Sequence, residues 1–177
     1  MAWVVFLKGV NVGGHRRFRP SMLAATLAKY GLVNIGAAGT FIVTKPISQA
    51  ELRLQLRCAI PFQVEIMICS AKDIINLASG DPFAVGPRAT QIVRFVNILA
   101  KRPRVLPSLP LSLPSDEDWL VKIVAIQGRF AFGCYRRTMR TISLLRQLEK
   151  HLGRSATTRN WNTINAIIQI LKANQQP

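Results

Sequence analysis

The stretch Ala2-Trp3-Val4-Val5-Phe6-Leu7-Lys8 is rich in β-branched and aromatic residues and reads as a buried strand. Working outward, Gly9–Arg19 holds three glycines and three arginines and reads as a loop. Pro20 and Ser21 open a helix whose apolar face is Met22, Leu23, Leu27 and Tyr30, stopped at Gly31. Short strands near Val33–Gly36 and Phe41–Thr44 follow. Ser48 then caps a helix with Leu52, Leu56 and Ala59 inward and with Arg53 and Arg57 on an outer face, ended by Pro61. Phe62–Cys69 supplies a fourth strand, Val64, Ile66 and Ile68 alternating with Glu65 and Met67. The order is β-α-β-β-α-β, which predicts a ferredoxin-like α+β unit over residues 1–70. Its two helices are expected on one sheet face, with the other open to a ligand, an RNA or a second domain.

Residues 71–177 begin a second, smaller α+β subdomain that ends in two helices. Ser70 caps a helix carrying Ile74, Ile75 and Leu77, closed by Gly80, and Asp81-Pro82-Phe83 with Gly86-Pro87 marks a turn-rich connector. Gln91–Leu99 reads as a strand, and 101–115, with four prolines, as an exposed irregular segment. Trp119–Ile126 and Arg129–Tyr135 form a hairpin around Gln127-Gly128. A helix over Ile142–Leu152 turns Leu145, Leu148 and Leu152 inward. Thr157-Thr158-Arg159-Asn160-Trp161-Asn162-Thr163 then leads into a helix with the apolar stripe Ile164, Ile167, Ile168 and Leu171. The polar run stands where a helix start exposes unpaired N–H groups, so it is read as a cap or an anion site.

Composition narrows the function classes. At 49% hydrophobic the chain can bury a core, which excludes a disordered protein. Its longest apolar runs are strand-sized, and no basic segment precedes the first of them, so neither a membrane partner nor a secretory signal is expected and a cytoplasmic location is the default. Cys58, Cys69 and Cys134 lack paired spacing and read as buried free thiols. His15 and His151 stand alone in sequence, so no metal and no other cofactor is expected.

Charge is the strongest compositional signal: 24 Lys and Arg against eight acids give a net +16, which favours anionic partners. The cations cluster in loops beside element ends. Arg16, Arg17 and Arg19 form one group, Lys101, Arg102 and Arg104 another, and Arg136 and Arg137, with Arg140, a third. These are the candidates for contact with nucleic acid or another polyanion.

Phe6-Leu7-Lys8-Gly9-Val10-Asn11-Val12-Gly13-Gly14-His15, followed by Met22-Leu23, resembles the opening of the DUF1697 family of bacterial proteins. Thr157–Thr163 resembles that family's closing motif, and Asp81-Pro82-Phe83 falls where its members often carry Asn-Pro-Phe. The resemblance implies a two-part α+β fold beginning with a ferredoxin-like unit, and no activity. The chain departs from the family pattern in three places. Lys8 replaces an arginine, Ala37-Ala38-Gly39-Thr40 replaces a Gln-Ser-Gly-Asn turn, and Arg136-Arg137-Thr138-Met139 replaces Gly-Arg-Ser-Lys.

Lys8, Asn11, Gly13 and Gly14 place a cation, an amide and permissive backbone after the first strand. Such a loop can turn N–H groups toward an anion, or close on itself through Asn11. It is neither a nucleotide P-loop nor a dinucleotide fingerprint. Thr158, Arg159, Asn160 and Asn162 exceed what one helix cap needs and are expected to share an anion pocket with that loop. Val5–Val10 loosely matches the shorter RNA-stacking motif, but Phe41 is the only aromatic where the longer motif needs two, so Phe6 is read as core. No Gly-x-Ser-x-Gly elbow occurs, and His15 is the only attractive general base. The sequence thus predicts a binding module for an anionic small molecule or nucleic acid. The alternative is a small enzyme acting on an anionic or phosphorylated substrate between the loop after the first strand and the last helix.

Overall fold

A computed structural model describes residues 2–11, 18–87 and 89–174. They form two antiparallel sheets and five α-helices. Two compact units divide the chain: Met1–Leu77 with Ala166–Pro177, and Ala78–Asn165. The division differs from the expected 1–70 and 71–177, because the helix after the fourth strand stays with the first unit and the last residues rejoin it.

The first unit runs β1 (Trp3–Leu7), α1 (Pro20–Thr26), β2 (Leu32–Asn34), β3 (Thr40–Val43), α2 (Gln49–Ala59), β4 (Ile66–Ser70) and α3 (Ala71–Asn76). Its strands lie in the order β2-β3-β1-β4, all antiparallel. The expected element order is therefore present, with β4 shorter than Phe62–Cys69. Val5 and Leu7 of β1 pack with Phe41, Val43, Leu52 and Leu56 in one core. Met22, expected on the apolar face of α1, is 63% exposed, and Cys58 stands exposed on α2, whereas Cys69 and Cys134 are buried.

The other face of this sheet is covered as well: Val4, Phe6, Ile42, Met67 and Cys69 are buried too. The reason lies in the runs Val-Val-Phe-Leu, Phe-Ile-Val and Ile-Met-Ile-Cys, which are continuously apolar and suit strands covered on both sides. With Phe6 and Phe41 both fully buried, neither ring is available to stack on RNA bases.

Both serine caps are in place: Ser48 Oγ accepts from Glu51 N at 3.1 Å and Ser70 Oγ from Asp73 N at 3.0 Å. Arg53 is half-buried rather than outward. Its guanidinium donates to Ile66 O at 2.8 Å, and Gln49 Nε2 to Ile68 O at 3.3 Å, so α2 satisfies carbonyls along the edge strand β4.

The second unit contains β5 (Ile92–Leu99), β6 (Leu111–Leu113), β7 (Val121–Gln127), β8 (Phe130–Arg136), α4 (Met139–Leu152) and β9 (Ala156–Asn160). The strand order is β6-β7-β8-β5-β9, antiparallel throughout. The expected hairpin is β7–β8, turning at Gly128 with φ 59°. α4 lays Leu144, Leu148 and Leu152 on Phe95, Leu99, Val121, Ile123 and Ala131, so Leu144 takes the central place expected of Leu145, which packs at the margin. α5 (Trp161–Ala173) starts in this unit and from Ala166 counts with the first. Among the described residues no helix is long and apolar enough to cross a membrane.

Candidate functional site

In the first unit the chain leaves β1 through Gly9 (φ 67°) and Asn11 (φ 57°), backbone conformations that steer it sharply away from the sheet. Asn11 acts as a clamp: its Nδ2 donates to Ala37 O at 3.1 Å, and its Oδ1 accepts from Phe18 N at 3.0 Å. Opposite stands Gly39 (φ 68°), whose missing side-chain position lies 2.5 Å from Val10 Cγ2, and whose carbonyl accepts from Leu7 N at 2.8 Å. The loop after β1 and the altered turn Ala37–Thr40 are therefore in direct contact, and the amide expected to meet a ligand holds backbone instead.

Lys8 is not an unopposed cation either. Its Nζ lies 3.3 Å from Glu65 Oε1, beside an open cleft of about 420 Å³ lined by Lys8, Gly9, Gln63, Val64 and Glu65. An anion entering there has to displace a carboxylate. Gly13, Gly14, His15, Arg16 and Arg17 lie outside the described residues; Arg19 is exposed at the start of α1.

In the second unit the polar run is a strand before it is a helix start. Thr157–Asn160 belongs to β9, paired with β5 at the sheet edge. Thr158 therefore cannot cap α5: its hydroxyl donates to the buried Asn97 Oδ1 directly across the ladder. Asn160 does cap it, its Oδ1 accepting from Asn162 N at 2.9 Å, while the Asn162 side chain is exposed. Arg159 is only 7% exposed. Its guanidinium donates to Thr157 Oγ1 at 2.7 Å and to Thr158 O at 2.8 Å, and burial lowers its pKa to about 10.

Of the expected basic loops, Lys101, Arg102 and Arg104 are exposed after β5, and Arg154 Nε joins them by donating to Arg102 O at 3.3 Å. Arg136 and Arg137 are exposed at the end of β8, near the opposite end of β5.

The face of this sheet away from α4 carries cations that sequence reasoning missed. Arg94, Cys134 and Lys122 stand directly opposite one another on β5, β8 and β7. Arg94 lies 5.2 Å from the centroid of Phe83, whose ring meets Phe132 and Trp161 edge-on at 5.8 and 5.2 Å. Lys122 and Arg136 both stand over Trp119, at 5.1 and 4.4 Å. The Cys134 thiol between the two cations is pushed up to about 11, mainly by burial, with Lys122 and Arg94 opposing. It stays a neutral thiol, leaving the row's charge positive. The available signal was a single cation inside each of two mostly apolar strands, Ile92–Leu99 and Val121–Ile126.

Two hollows flank this row. One, of about 510 Å³, is lined by Trp119, Lys122 and Val124 with Val85, Leu109 and Pro110. The other, of about 570 Å³, is lined by Asp81, Ile92 and Arg94, and Pro87 borders both. Asp81 Oδ1 accepts from Phe83 N at 3.0 Å, a local turn that explains the Asp-Pro-Phe sequence and aims Phe83 into the aromatic group. No group of His, Cys, Asp and Glu suited to a metal occurs among the described residues.

The chain is similar to a solved structure, that of the conserved bacterial protein SP0830 from Streptococcus pneumoniae. The TM-score is 0.60 and the identity 18%, with 96% of this chain and 98% of that one covered. At that identity the likeness concerns the fold. No curated protein matches the chain. The family model for proteins of unknown function designated DUF1697 matches residues 1–118, the span that holds the Lys8–Asn11 loop, the Ala37–Thr40 turn and Asp81-Pro82-Phe83. The chain belongs to the DUF1697 family.

Proposed function

We propose that the protein is a binding module for an anionic ligand, held on the face of the second unit's sheet opposite α4. The observation that carries this reading is the cross-strand row Arg94–Cys134–Lys122 with Arg136 over Trp119 beside it. Rigid strands fix three cations on one surface, where an anion would gain charge-assisted bonds. The reading moves the ligand from Lys8, which already faces Glu65. A ferredoxin-like reading of the first unit rests on its strand order β2-β3-β1-β4, and a cytoplasmic location on its free cysteines.

Calorimetric titration with pyrophosphate at low salt tests the site. The Arg94→Gln/Lys122→Gln double variant is expected to bind at least tenfold more weakly than wild type, while Lys8→Gln is expected to match it. Equal affinity of wild type and double variant would refute the assignment.

Nucleic acid is the extended form of the same reading, favoured by the gathering of Arg102 and Arg154 at one end of β5 and Arg136 at the other. A strand of this length spans about 26 Å, so an oligonucleotide would be needed to touch both ends. Its binding would weaken steeply with salt, by roughly 0.7 log units per contacted phosphate for each log unit of salt.

A further inference from the structure

We infer that the hollow beside Trp119 takes an amphipathic organic anion, an apolar body carrying one carboxylate or phosphate. The inference rests on the anion-binding reading above and adds the chemistry of the rest of the ligand. The hollow, about 510 Å³, is within the range of small-molecule sites. Its walls are Val85, Pro87, Leu109, Pro110 and Val124, and among the described residues Lys122 is the one charged side chain lining it. Val124 reaches the wall because β7 is irregular there: Ile123 pairs with Gly133 and Ala125 with Phe132, leaving Val124 as the extra residue of a bulge. Val85 and Leu109 are 90% and 43% exposed at the rim, apolar surface that a bound apolar body would cover.

The lining also says what does not fit. Its described residues offer no carboxylate, amide or hydroxyl side chain, so a ligand rich in sugar hydroxyls would lose hydrogen bonds to water without replacement. A bare inorganic anion would leave the apolar walls uncovered. One anionic group near Lys122, with Arg136 standing over the same Trp119 ring, and an apolar remainder satisfy both features.

Titration of the full chain with 2-naphthoate, 2-naphthalenemethanol and inorganic phosphate tests this. Naphthoate is expected to bind at least tenfold more tightly than either of the others. Lys122→Met, which keeps the stem and removes the charge, should bring naphthoate down to the level of the neutral alcohol. Val85→Asp, at an exposed position, should weaken naphthoate at least tenfold. If phosphate binds as tightly as naphthoate and depends on Arg94 and Lys122, the amphipathic ligand is refuted and the anion site stands. If the alcohol binds as well as the acid, the charged end is refuted. If neither anion binds, both readings fall.

Discussion

Gly133→Ala is expected to cost the second unit about 3 kcal/mol, the upper end of what overpacking a well-filled core costs. Gly133 sits mid-strand in β8, paired with Phe95 on β5 and Ile123 on β7. An added methyl there would lie 2.6 Å from Lys122 O, 2.6 Å from Phe95 Cζ and 2.9 Å from Ile123 Cδ1. The phenyl ring could swing aside only by leaving a fully buried position, and the carbonyl belongs to the neighbouring strand, so β7 itself would have to move. The glycine thus exists to let the Phe95 ring cross the sheet centre. Urea unfolding should show a lowered midpoint with little change in slope. A loss below about 0.5 kcal/mol, the scale of an ordinary surface substitution, would mean that the ring does not cross there.

Arg159→Met should leave the fold within about 1 kcal/mol of wild type at neutral pH, because it removes a buried cation's desolvation penalty together with its hydrogen bonds. The guanidinium is nearly inaccessible, and burial lowers its pKa to about 10. For a cation, a lowered folded-state pKa means that folding disfavours the charged form. The penalty is present in full below pH 10 and is relieved only as pH rises beyond it. A displacement of this size corresponds to about 3 kcal/mol. Against it stand its hydrogen bonds, among them those to Thr157 Oγ1 and Thr158 O, each worth about 1.5 kcal/mol for a charged donor, so that the two sides nearly cancel. Methionine keeps much of the stem's volume in the slot opposite Val96. The difference should be constant from pH 7 to 9 in thermal melts. A loss of more than 1 kcal/mol would show that the guanidinium is a net stabiliser where it lies.

Much of the architecture was legible because local signals agreed with the final packing. Ser48 and Ser70 mark helix starts that the structure caps through these hydroxyls, and Gly128 marks the tight β7–β8 hairpin. The apolar runs in β1, β3 and β4 also held the information that both faces of the first sheet are covered, although the element order drew attention to two helices on one face. β9 was illegible for a physical reason: its inward polar groups are satisfied across the ladder, Thr158 by Asn97, so Thr-Thr-Arg-Asn carries no apolar alternation. β6 is confined to Leu111–Leu113 between Pro110 and Pro114, too short for any periodicity.

The candidate site divides along the same line. Exposure of Lys101, Arg102, Arg104, Arg136 and Arg137 follows from their place in loops and at strand ends. Arg94 and Lys122 each look like an ordinary solvent-side residue of a strand. Only the register, with Cys134 between them, makes them neighbours. Asn11 shows the converse: a residue type suited to ligands is consumed by Ala37 O and Phe18 N.

The most direct test of the anion site is a crystal soaked in selenate at low salt and measured at the selenium absorption edge. The account predicts an anomalous peak in contact with Lys122 on the face of the β5–β8–β7 strands, absent when Arg94 and Lys122 are both replaced by glutamine. A peak at Lys8 instead, or none on that face, would contradict it.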